Sequence, residues 1–112
     1  MRVIQNQDEA FAVLSGTFKV GSINLVHYDE LVAILGEPTL DEESGDGKVQ
    51  VEWVIELDGQ VFTIYDWKTY DKEYTKNKLT TWSIGGSTAP YKLELEIYKM
   101  LDRKSTRLNS SH

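Results

Sequence analysis

The clearest pattern in the chain is the alternation in "KVQVEWVIEL". Val49, Val51, Trp53, Ile55 and Leu57 fall on one parity, and Lys48, Gln50, Glu52 and Glu56 on the other. A period of two predicts a strand with one face toward a core. Asp58 and Gly59 follow, the pair that favours a two-residue type I′ turn, and "QVFTIYDWK" reads as the returning strand. Register counts outward from that turn: Leu57 faces Gln60, Ile55 faces Phe62, Trp53 faces Ile64 and Val51 faces Asp66. One face of the hairpin thus collects Val51, Trp53, Ile55, Leu57, Phe62 and Ile64. The other collects Val54, Val61, Thr63, Tyr65 and Trp67 with Glu52 and Glu56, too aromatic for a wholly solvated face and too charged for a core. This second face is expected to need cover or company, and a homodimer is one way to supply it.

Weaker patterns surround the hairpin. Residues 8–14 predict a helical turn or an extended lead-in, stopped by Gly16, and "TFKVGSINL" one or two short strands bent at Gly21. In "HYDELVAILGEP", Leu31, Ile34 and Leu35 have helical spacing, Asp29 and Glu30 favour the first turn, and Gly36 and Pro38 end the helix. "TLDEESGDG" and "KTYDKEYTKNK" read as polar loops. "LTTWSI" predicts a third strand, which Gly85 and Gly86 end. "STAPYKLELEIYKML" predicts a second helix, with Thr88 as N-cap, Pro90 in the first turn and a stripe of Leu93, Ile97, Met100 and Leu101. Together these elements predict an α+β domain: a three- or four-stranded antiparallel meander with two helices packed mainly on one face.

The ending changes the picture. Residues 102–112, "DRKSTRLNSSH", are basic, Ser-rich and free of aromatics, unlike everything before them. Their codons can be written without a gap as the common adapter ligated to DNA fragments for short-read sequencing. The stretch therefore resembles translated adapter at the end of a metagenomic contig. On that reading one compact domain spans residues 1–101, and the tail is a non-native segment to be set aside in fold reasoning. The whole chain has 12 basic and 18 acidic residues. The tail holds Arg103, Lys104 and Arg107 against Asp102, so the body keeps 9 basic and 17 acidic residues and a charge of −8.

That charge weakens affinity for polyanions, so direct nucleic-acid binding is not expected. No cysteine is present, which removes disulfides, thiolate nucleophiles and Cys-ligated metals. The N-terminal residues lack the apolar core of a signal peptide, and no apolar run approaches the roughly 18 residues of a membrane span. A cytoplasmic protein is expected.

Candidate chemistry is sparse. His27 has no partner at metal-ligand spacing and reads as a residue at the start of a helix. Asp41, Glu42, Glu43 and Asp46 crowd one loop, but the twelfth residue counted from Asp41 is Glu52, inside the predicted strand, so the calcium-loop spacing fails. No metal and no cofactor are expected. In "WSIGGSTAP", the amides of Gly85, Gly86, Ser87 and Thr88 ahead of a helix could hold an anion, or the two glycines could be a plain turn. Asp66 and Lys68 stand where the apolar parity stops and read either as an ion pair at the strand end or as part of a binding site. Tyr65 and Trp67 project from the other face as rigid aromatic anchors.

"YDELVAILGEPT", "KVQVEWVIELDGQVFTIYDWK" and "TTWSIGG" together resemble a family of small, mostly uncharacterised proteins encoded by tailed bacteriophages. The likeness covers about residues 28–86 and rests on the Ile-Tyr-Asp-x-Lys and Trp-x-Ile-Gly-Gly motifs. Ser83 stands where family members often carry a histidine, so no imidazole role transfers to that position. The stretch from Tyr28 to Thr39 is also similar to small envelope lipoprotein domains of the outer-membrane assembly type, which supports a helix leading into a meander. The phage resemblance implies a protein acting in the cytoplasm of an infected bacterium, commonly by binding.

Two readings follow. In the first, a non-enzymatic binding protein inhibits a host defence factor, such as a CRISPR effector or another nuclease, through Asp41, Glu42, Glu43, Asp46, Tyr65 and Trp67. In the second, a sponge sequesters a nucleotide immune signal: Gly85, Gly86, Ser87 and Thr88 hold phosphate, Lys68 neutralises it, and Trp67 or Trp82 stacks on the base. A virion or metabolic accessory role is a further alternative.

Overall fold

A computed structural model describes residues 1–14, 16–45 and 47–110, with side chains as far as Arg103. The chain folds into five strands and four helices, in the order β1 (Arg2–Ile4), α1 (Gln7–Val13), β2 (Phe18–Ile23), α2 (Tyr28–Leu35), β3 (Glu52–Leu57), β4 (Gln60–Tyr65), α3 (Lys72–Asn77), β5 (Trp82–Gly86) and α4 (Tyr91–Ser110). The strands form one antiparallel sheet in the order β1-β3-β4-β5-β2. The α+β class holds, with five strands in place of three or four. β1 escaped detection because three residues are too short to show a period.

The β3–β4 hairpin has the register expected from its turn, from Leu57 opposite Gln60 to Trp53 opposite Ile64. Asp58 and Gly59 both take positive φ, 52° and 77°, as a type I′ turn requires. β3 begins at Glu52, not at Val49, because the amides of Gln50 and Val51 are bonded by the Asp66 carboxylate instead of a neighbouring strand.

The main core lies on one face of the sheet. Trp53, Ile55, Phe62, Ile64, Trp82 and Ile84 meet Leu31 and Leu35 of α2 and Leu93 and Ile97 of α4. Two indole N–H groups clamp α2 at both ends: Trp82 Nε1 donates to Val26 O at 2.8 Å, and Trp53 Nε1 donates to Gly36 O at 2.9 Å. The rings touch edge-on with centroids 5.6 Å apart, and Tyr28 tilts against Trp53 at 5.8 Å. Each tryptophan thereby buries its large apolar surface while its single donor is satisfied. His27 occupies the N-cap position of α2, where its amide donates to the Glu30 carboxylate at 2.9 Å.

The opposite face is not left bare. The helix α1 lies over it, Ala10 packing with Ile4 of β1 and Val54 of β3, and Val13, Leu14 and Val61 closing around them. Helices therefore occupy both faces, and part of the cover that the second face needs comes from within the chain. Where β1 ends, Thr39 continues its work. Its hydroxyl donates to Ile4 O at 2.6 Å and accepts from Val54 N at 3.1 Å, so a side chain stands in for a strand.

Gly85 and Gly86 are the last two residues of β5 and not a turn after it, buried and paired with both β4 and β2. The reason is steric: a Cβ at Gly85 would sit 2.6 Å from Thr63 Oγ1, and one at Gly86 2.8 Å from Phe62 Cδ1. Thr88 does not cap the second helix either. Its hydroxyl faces Ala89 O, and Pro90 O accepts the first helical bond, from Glu94 N. The "KTYDKEYTKNK" segment, expected as loop, contains α3, capped by Asp71 through Glu73 N. The last helix runs on to Ser110, through a stretch with no proline or glycine to stop it.

Gly86→Ala is expected to cost about 1–3 kcal/mol by overpacking against Phe62. Gly45→Ala, where an added methyl meets nothing within 4 Å, should stay within about 0.5 kcal/mol of wild type. Urea unfolding of the two variants beside wild type checks both.

Candidate functional site

The distinctive polar arrangement is at the end of the sheet where β3 starts and β4 finishes. Asp66, directly after β4, is fully buried. One carboxylate oxygen accepts from Gln50 N at 2.7 Å and Val51 N at 3.0 Å, and the other accepts from the hydroxyls of Thr69 at 2.6 Å and Thr75 at 2.7 Å. Four donors replace the water that the carboxylate loses on burial. Of the two roles open to Asp66 and Lys68, the ion pair does not form: the Lys68 ammonium lies over the Trp67 ring at 5.6 Å.

Asp66 ties two loops together. Lys68 N donates to Lys48 O at 2.8 Å, and Lys72 Nζ reaches both the backbone oxygen of Asp41 at 2.7 Å and its carboxylate at 3.2 Å. The acidic segment is thus docked against the segment that carries Trp67. Of the residues expected to contact a partner, Asp41, Glu42 and Glu43 are exposed on the first segment, Trp67 is exposed on the second, and half-buried Tyr65 ends β4. Asp46 lies outside the described residues. Tyr65 and Trp67 meet edge-on at 6.2 Å. Lys48 also approaches the Trp67 ring, at 5.7 Å, so positive charge surrounds that aromatic.

On the α1 side of the acidic segment lies a cleft of about 440 Å³. Phe11, Leu14, Leu40 and Val49 line it together with the exposed Asp41, Glu42 and Glu43 and the half-buried Glu52. Glu52 is the residue that sequence reading passed over. The sequence placed it with Glu56 on the second face of the hairpin and gave it no role of its own; in the structure it is half-buried. Burial pushes its carboxyl above the ordinary glutamate value, a bond to Thr63 opposes the rise, and repulsion from Asp66 adds to it. Burial likewise raises the Tyr65 phenol, helped by Glu52 and opposed by a bond to Ser83. Tyr28 is pushed up to about 12, first by burial and then by the carboxylates of Asp41, Glu37 and Asp29.

The residues assigned to a nucleotide site do not assemble. Gly86 stands opposite Phe62, while Ser83 stands opposite Tyr65. At about 3.3 Å per residue these rows are roughly 10 Å apart. Ser87 and Thr88 lie beyond one row and Lys68 beyond the other, at opposite ends of the sheet. Trp82 is fully buried with its N–H bonded to Val26, so it offers no face to a base. The glycine amides belong to an interior strand and not to an open turn. Among the described residues, no group of three or more His, Asp or Glu side chains is arranged to hold a metal, and no helix is long and apolar enough to cross a membrane.

Asp66→Ala strands four donors and should lower the unfolding free energy by at least about 3 kcal/mol. Asp66→Asn should cost less, because its carboxamide oxygen still accepts from the two amides. Chemical denaturation of both variants measures this order. For Glu52 the raised value means that the folded state holds the proton more tightly than the unfolded chain. Stability should therefore fall as pH rises from the ordinary value of 4.5 through the raised one. Glu52→Gln removes that loss. Its melting temperature relative to wild type should climb through the same window, level off above it, and show no climb below about pH 4.

Compared with known proteins, the chain matches no family model, no curated protein and no solved structure.

Proposed function

We propose that this chain is a non-enzymatic, phage-derived binding protein that inhibits a bacterial defence factor, a CRISPR effector or another nuclease, through protein–protein contacts. The observation that carries the reading is the docking of the acidic segment onto the Trp67 segment through Asp66, Lys68 and Lys72. Binding surfaces gain when their charges and aromatic anchors are held in place before the partner arrives, since less ordering entropy is lost on association. Exposed carboxylates at Asp41, Glu42 and Glu43 suit the basic groove with which a nuclease holds its nucleic acid. The aromatic ring of Trp67 suits the desolvated centre of an interface.

The test is made in cells. Bacteria each carrying one active nuclease defence express the chain and are challenged with a phage which that defence blocks. Plating should be restored on at least one defence and lost again when Glu42 and Glu43 are both changed to Lys. With the purified effector so identified, association should weaken as salt rises, because exposed charges are screened beyond about 10 Å at 0.1 M. Failure to lift any defence while the folded chain accumulates overturns the reading, and salt-independent binding removes the acidic segment from it.

A further inference from the structure

We infer that the cleft between α1 and the acidic segment is a receptor for an arginine side chain presented by a basic, partly apolar segment of a partner protein. The inference rests on the binding role proposed above and gives that role a site and a ligand chemistry. Three features of the cleft choose the occupant. Apolar side chains line it, Phe11, Leu14, Leu40 and Val49 among them, so a chain of methylenes is better placed there than a small hydrophilic ion. Every charged group lining it among the described residues is a carboxylate: Asp41, Glu42, Glu43 and Glu52. Of these, Asp41 has Lys72 as an ion-pair partner, while Glu42, Glu43 and Glu52 have no ion pair among the described residues.

Arginine matches this layout better than lysine does. Its guanidinium is planar, keeps its charge when desolvated, can bond a carboxylate through two parallel N–H groups, and stacks on an aromatic face. Phe11 lines the cleft and is 60% exposed, so part of a large ring is available to a partner. Its helix is fixed to the sheet by Ala10 and Val13, and Asn6 caps it through Glu9 N at 2.9 Å, so the ring is carried on a rigid support. The half-buried Glu52 adds a carboxylate whose burial a bound cation would offset, favouring its charged form. Among the described residues, the strand partners of Glu52 are uncharged. Tyr65 is its partner in β4, and Leu40 pairs with it on the other side.

The experiment measures a fluorescent peptide of alternating arginine and leucine against the full chain by anisotropy, beside an all-arginine peptide and one with glutamate in place of arginine. The arginine–leucine peptide should bind more tightly than the all-arginine peptide, and the glutamate peptide should not bind. Phe11→Ala and Glu52→Gln should each weaken binding at least about tenfold. Asp58→Asn, an exposed acid at the far end of the hairpin, should leave it unchanged. Circular dichroism melts establish that each variant is folded, and Phe11→Leu serves as a second, better-tolerated probe of ring stacking. Equal binding of both cationic peptides, with no effect of Phe11 or Glu52 substitution, would mean general attraction to an acidic surface and would overturn the cleft. Absence of binding overturns it as well. The same variants in the plating assay separate the two proposals. Lifting of a defence that survives Phe11→Ala and Glu52→Gln leaves the inhibitor reading standing without the cleft. Peptide binding by a chain that lifts no defence leaves the cleft standing without the inhibitor.

Discussion

The arrangement of this molecule depends on one buried carboxylate. Asp66 follows β4 and collects two backbone amides from residues 50 and 51, a hydroxyl from the loop after it and another from α3. The residues ahead of β3, the loop after β4 and α3 are thereby held together at one end of the sheet by amides and hydroxyls. A lysine or arginine in this position would have to be desolvated too, at a cost its attraction need not repay. Hydroxyls and amides carry no such penalty, and each geometry they impose is specific. The Thr69 and Thr75 hydroxyl oxygens lie 2.8 Å apart, side by side against one oxygen of the carboxylate.

From that anchor the surface follows. A loop of glycines and acids would otherwise be costly to order on binding, but its two ends are fixed, by the Leu40–Glu52 bridge and by the Asp66 bonds. Lys72 holds Asp41 between them. The remaining carboxylates are left beside the apolar lining that α1 completes. Positive and negative charge are then separated over a short distance, with Lys48 and Lys68 around Trp67 and the acids on the α1 side. A partner meeting this end of the sheet would encounter a pattern and not a uniform field, which is how charge confers selectivity.

Legibility in the sequence varied by the kind of interaction. The hairpin was readable to the residue because a period of two and an Asp-Gly turn are local facts, and α2 was readable from its spacing and its Gly-x-Pro stop. Trp53 was recognisable as core and Trp82 only as a strand residue, and neither as a clamp, since the carbonyls of Val26 and Gly36 become acceptors only when α2 lies across the sheet. Gly85 and Gly86 read as a turn because glycine pairs usually are one. Here they make room for Thr63 and Phe62, a requirement imposed by a neighbouring strand. Val54 and Val61 signalled a need for cover without revealing that a seven-residue helix from the start of the chain would supply it.

Local pattern and composition sufficed for the α+β class, the inward and outward parity of the central hairpin, the position of α2 and the excess of negative charge. Each is set by neighbours within a few residues or by residue counts. Packing between distant segments was needed to place α1 over the second face, to give Asp66 amides and hydroxyls in place of Lys68, to set Lys68 and Thr88 at opposite ends of the sheet, and to leave Glu52 half-buried in a cleft. These depend on which distant segments meet. A buried polar atom takes whatever partner the packed chain brings within about 3 Å, and no local pattern records that choice.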